Sequence, residues 1–213
     1  MNEPLLIFTK IIGIIPLIIY FSVKKVNKIT VYLFPFVFLM AIASLYELIG
    51  TDLLQIDTKI WFRIYALLEF LTILYFYYKL LKHKIMYVLL AIIYLLIYSY
   101  LLIDWSPSQK GFNDLPLNIA ITLVVVFSSC LWFVEVFKKL EDTPLHKRTD
   151  FFYISGLLIY FTGTFLVFLT ADYLKDDPNY RILDYWILIV IFNLILRTIL
   201  IFTVWKARIK LEH

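Results

Sequence analysis

Charge is scarce in this chain of 213 residues: Asp, Glu, Lys and Arg make up 17%, against 62% hydrophobic side chains. A soluble domain carries about 25% charged residues to keep its surface hydrated, so a water-soluble globule is excluded and the apolar surplus needs lipid. The one cysteine, Cys130, sits inside an apolar run; without a partner it can form neither a disulfide nor a thiolate metal cluster. Histidines are few: His83 and His146 fall between apolar runs, and His213 ends the chain. A metal-dependent hydrolase needs clustered histidines and carboxylates, so we expect no metal and no cofactor. Ser128 and Ser129 have no histidine at membrane depth to serve as base, and no Gly-x-Ser-x-Gly or phosphate-cradling loop occurs. The last apolar run has Arg197 where a retinal pigment needs its Schiff-base lysine, which disfavours that class. An aspartyl protease would need two facing carboxyls, whereas Glu47 and Glu69 fall at different levels.

Long apolar runs are abundant. They span about 4–23, 29–49, 60–81, 85–103, 115–137, 151–173 and 183–205, each long enough for a hydrocarbon core of roughly 30 Å. They are too long for barrel strands and show no in-out alternation. The expected fold is therefore all-α, a polytopic membrane bundle of seven transmembrane helices forming a single domain over 1–210. Residues 211–213, Leu-Glu-His, resemble the start of an expression tag and are set aside.

The net charge of +4 reads as a topology signal and not as a nucleic-acid groove. Lys24, Lys25, Lys28, Lys79, Lys82, Lys84, Lys138, Lys139, Lys147, Arg148, Lys206, Arg208 and Lys210 all fall on one side, which is expected to be cytoplasmic. The opposite loops carry Asp52, Asp57, Asp104, Asp114, Asp172, Asp176, Asp177 and Asp184. Seven crossings then put the N-terminus outside and the C-terminus inside. A three-plus-one-plus-three repeat is a further expectation, from a loose echo between Trp61…Glu69 and Trp186…Asn193.

Ionisable groups at bilayer depth are the functional pointers, because each costs several kcal/mol unless paired or wet. Glu69 lies about 12 Å below Trp61, while Asn193 and Arg197 lie about 10 Å and 16 Å below Trp186. Residues four apart share a helix face, so Tyr65, Glu69 and Thr72 are expected to meet Asn193 and Arg197. The sharp form is a Glu69–Arg197 ion pair; a structural lock of span 3 to span 7 and a ligand pocket explain it about equally well. Glu47 is a secondary candidate that a solvated helix end also explains. Lys10 is expected to snorkel to the outer headgroups. In span 6, Gly156 and Gly163 return to nearly one face, which predicts close helix packing.

Three stretches carry a resemblance: Ile60 to Phe70, Phe151 to Gly163, and Trp186 through Asn193 to Arg197. They resemble a bacterial family of stand-alone seven-helix membrane proteins, similar to the membrane sensor parts of histidine kinases but lacking the kinase. Its Tyr-x-x-x-Glu-Phe and Gly-Leu-Leu-x-Tyr-x-x-Gly patterns map onto Tyr65, Glu69, Phe70, Gly156, Tyr160 and Gly163. The resemblance implies a sensory or signal-relaying bundle in the bacterial cytoplasmic membrane. Expected partners are membrane lipids, a small-molecule or lipid ligand and a cytoplasmic signalling protein met by the basic loops. A small-solute transporter or channel, and a lipid-modifying enzyme acting near Glu47, Asp172 and Asp184, are the alternatives.

Overall fold

The computed structural model describes residues 3–22, 27–56, 58–103, 105, 115–139, 144–174 and 182–209, without side chains at 3, 171, 172, 174, 182–186, 208 and 209. Seven helices are long and apolar enough to cross a membrane. They are α1 (Glu3–Ser22), α2 (Lys28–Leu45), α3 (Lys59–Leu80), α4 (Lys84–Ile103), α5 (Leu115–Lys139), α6 (Thr149–Leu174) and α7 (Ile182–Ile209). Each matches one apolar run, and no strand occurs among the described residues.

The second span departs from its expected boundary and does not stop at 49. Beyond Leu45 the chain continues as eight residues of π-helix, Tyr46–Leu53, so the crossing covers Lys28–Leu53. The wider turn ends where Gln55 takes a left-handed conformation (φ 51°), with the Leu54 and Ile56 amides donating to the Ile49 and Gly50 carbonyls. π-Helical turns are rare and concentrate at functional sites, and this one carries Glu47 and Asp52.

Helices adjacent in sequence pack together, and α7 returns to α1. α2 also touches α6 and α7, while α3 touches α4 and α5. The α3 and α7 backbones do not approach closely among the described residues, so these two helices are not direct packing neighbours. The seam between α6 and α7 is the most extensive among the described residues. A Cβ on Gly163 would collide with the Phe192 ring, and one on Gly156 would lie 3.0 Å from Ile199, as the small-residue spacing predicts.

Tyrosine hydroxyls tie the helices where lipid offers no competing water. Tyr77 meets Ser129 at 2.8 Å, and Tyr153 reaches Thr30 at 3.3 Å. On α4 only Tyr87, Tyr94 and Tyr98 are buried; the rest of the helix turns Ile92, Ile93 and Leu96 outward. Tyr94 stacks on Phe70 and donates to the Ala66 carbonyl, and Tyr98 donates to that of Arg63. Arg63 itself is buried near Trp105. At the far end of the bundle Arg148 pairs with buried Asp150 at 2.7 Å. Asp57, Asp104, Asp114, Asp176 and Asp177, with Lys24, Lys25 and Lys210, lie outside the described residues. The side chains of Asp172, Asp184, Tyr185, Trp186 and Arg208 lie outside them too.

Candidate functional site

The site is assembled at the end of the bundle where α1 begins. Tyr65 and Glu69, four residues apart on α3, share a face, and the Tyr65 hydroxyl lies 3.0 Å from Glu69 Oε1. The same hydroxyl lies 3.3 Å from the Met40 sulfur; having one proton, it donates to the carboxylate, the stronger acceptor. Thr72 shares the face but donates to the Glu69 backbone carbonyl at 2.9 Å. It turns back onto its own helix and leaves the carboxylate alone.

Arg197 is 5% exposed. Side chains on a helix lean toward its N-terminus, so the guanidinium rises from α7 and donates through Nη1 to the Thr9 carbonyl of α1. Gly13, one turn further along α1, leaves it room: a Cβ there would lie 3.0 Å from the guanidinium and collide with Ser44 of α2. The Arg197 Nε has no acceptor.

The expected Glu69–Arg197 ion pair is not among the salt bridges of the described residues, and the physical reason is the packing order. With α3 and α7 not packed directly on one another, the two side chains do not come within ion-pair distance. Asn193, on the Arg197 face of α7, comes within interaction range of the Tyr160 hydroxyl of α6. That hydroxyl is the hub of the cluster, within electrostatic reach of Glu69, Arg197 and Glu47 alike. Tyr160 entered the sequence reading only through the resemblance; no polar periodicity on α6 marked it as an inward-facing group.

Glu47 is not a freely solvated helix end. It is partly buried on the π-helical stretch, within electrostatic reach of Arg197, Lys10 and Asp52. Lys10, expected to snorkel, forms an ion pair with Asp52 at 2.7 Å, linking α1 to the end of the second span. Trp61 stacks on Tyr46 at 4.5 Å between centroids, bracing α3 against the same stretch. Polar groups thus descend from Lys10–Asp52 through Glu47 to Arg197, Tyr160, Asn193, Tyr65 and Glu69.

Glu47, Tyr65, Glu69 and Asn193 all keep partial accessibility, while Thr9, Ser44, Tyr160 and Arg197 behind them are buried. From that contrast we infer a crevice between the helices. Comparison with protein-family models, curated proteins and solved structures gave no match. What the crevice can do is therefore argued from its own chemistry. No group of three or more His, Cys, Asp or Glu placed to hold a metal occurs among the described residues. What remains is a hydrogen-bonding, charged recess, lined by tyrosines and reached from one end.

Proposed function

We propose that the chain is a sensory or signal-relaying seven-helix bundle of a bacterial cytoplasmic membrane, which takes a small or lipidic ligand into this crevice from the outer side. The observation that carries the reading is that the charged track stops halfway. Beyond Glu69 the core is closed by Leu33, Phe76, Tyr77, Tyr153, Ile154 and Leu157, each at most 1% exposed. In that half Tyr77 pairs with Ser129 and Tyr153 with Thr30 between helices, and the ion pair Arg148–Asp150 lies at the far end. A recess that ends in a packed core suits a ligand that binds and leaves by the same mouth, with the signal passing through helix packing to a cytoplasmic partner.

Cysteine labelling tests this. In a Cys130→Ser background, Glu47→Cys and Asn193→Cys should react with a membrane-impermeant maleimide added from outside, while Leu157→Cys should not. Protection of all three positions would remove the crevice from the argument.

The transporter reading draws on the π-helical interruption of the second span, since broken helices beside a midplane site recur in carriers. Counterflow of a solute in proteoliposomes, lost on Glu69→Gln, would favour it over the sensor. The enzyme reading leans on Glu47, Asp172 and Asp184, and the side chains of the last two lie outside the described residues.

A further inference from the structure

The charges of the crevice do not close on themselves. Lys10 and Asp52 neutralise each other in direct contact. Glu47, partly buried on the π-helical stretch, lies within electrostatic reach of Arg197 but forms no ion pair with it among the described residues. Two deep groups remain. Glu69 is a carboxylate that accepts one hydrogen bond, from Tyr65, and no basic side chain lies within salt-bridge distance among the described residues. Arg197 is a guanidinium 5% exposed that spends Nη1 on a backbone carbonyl and leaves Nε without an acceptor. A buried charge with no counter-charge in direct contact is costly in a medium of low dielectric, and still more so at bilayer depth.

The two groups carry opposite sign and stand on helices that do not pack directly on one another, with the partly accessible Tyr65 and Asn193 beside them on the same two helix faces. A lone cation would answer Glu69 and leave Arg197 as it is. A lone anion would do the reverse. A proton would neutralise Glu69 but offer nothing to the Arg197 Nε–H. We propose that the crevice recognises a zwitterion, a molecule whose ammonium group meets Glu69 and whose carboxylate or phosphate meets Arg197. The aromatic groups at the acidic pole fit the same ligand, because Tyr65 and Tyr160 offer both π-faces and hydroxyl acceptors to an ammonium. This specifies the ligand class of the site proposed above and rests on that reading. The chemistry is shared by free amino acids and by phosphoethanolamine lipid headgroups.

The test is calorimetric titration of the full chain in a non-ionic detergent. The probes are γ-aminobutyrate, ε-aminocaproate, butylamine and butyrate, with phosphatidylethanolamine and phosphatidylglycerol as a lipid pair. At least one zwitterion should bind roughly tenfold or more tightly than either singly charged analogue, the margin expected for one further charged hydrogen bond. Glu69→Gln should erase the advantage over butyrate, and Arg197→Gln the advantage over butylamine. If Arg197→Gln fails to fold, the wild-type series and the isosteric Glu69→Gln decide alone. Preference for phosphatidylethanolamine over phosphatidylglycerol with the same dependence on Glu69, and no response to free amino acids, assigns the headgroup as the source. Equal binding of butylamine or butyrate overturns the zwitterion; if that binding still needs Glu69 or Arg197, the ligand-binding reading survives. Silence from every zwitterion also overturns it, and maleimide labelling at positions 47 and 193 then shows whether the crevice itself stands.

Discussion

Glu69 and Arg197 show how far a helix-face argument reaches at the scale of single residues. Spacing of four correctly groups Tyr65 with Glu69, because that depends on one helix alone. It cannot say which helix stands opposite, and the direct pair expected across spans 3 and 7 fails because α3 and α7 are not neighbours. The energetic consequence can be measured. If the two groups touched, removing one would strand the other, and single substitutions would cost more than the double. Without contact, the thermal destabilisation from Glu69→Ala and Arg197→Ala should add to within about 0.5 kcal/mol. A larger coupling energy would restore the direct pair. Gly13 is a complementary case: nothing in its sequence neighbourhood marks it, yet a side chain there would collide with Ser44 and crowd Arg197.

Among the elements, the spans were legible because bilayer thickness imposes their length. The π-helical end of the second span was not, since a wider turn leaves the run equally apolar and shifts only the register of Glu47 and Asp52. α4 is instructive in another way. Apolar nearly all round, it shows its docked side only through three tyrosines spaced seven and four residues apart. With few close contacts elsewhere, it should be the helix most dependent on that stripe. Tyr98→Phe removes one hydrogen bond to the Arg63 carbonyl and should cost about 0.6 kcal/mol, the average for such bonds between membrane helices. Tyr94→Ala also loses the stack on Phe70 and should cost roughly 3 kcal/mol or more, as for large aromatic truncations in a core. Unfolding in mixed detergent micelles measures both. Equal effects would mean that α4 is held by its apolar flanks and not by the tyrosine face.

For the whole molecule, the membrane sets what the fold must satisfy, and the basic residues set which way it sits. Lys82, His83 and Lys84 lie in the turn between α3 and α4, and Lys206 donates to the His146 carbonyl beside Arg148, so most of the described basic groups gather at the end away from the crevice. The mouth instead carries Asp52 and Glu47 beside Lys10. Positively charged connections are retained on the cytoplasmic side during insertion, which predicts an outward-facing mouth. In a Cys130→Ser background, Ile56→Cys at the crevice end should react with an impermeant maleimide on spheroplasts. His83→Cys at the opposite end should react only after lysis. The reverse pattern would invert the molecule and turn the crevice toward the cytoplasm, where a ligand made inside the cell, and not one sampled from outside, would have to fill it. Labelling of both positions from one face would break the odd count of crossings, because Ile56 and His83 are separated by one span, α3.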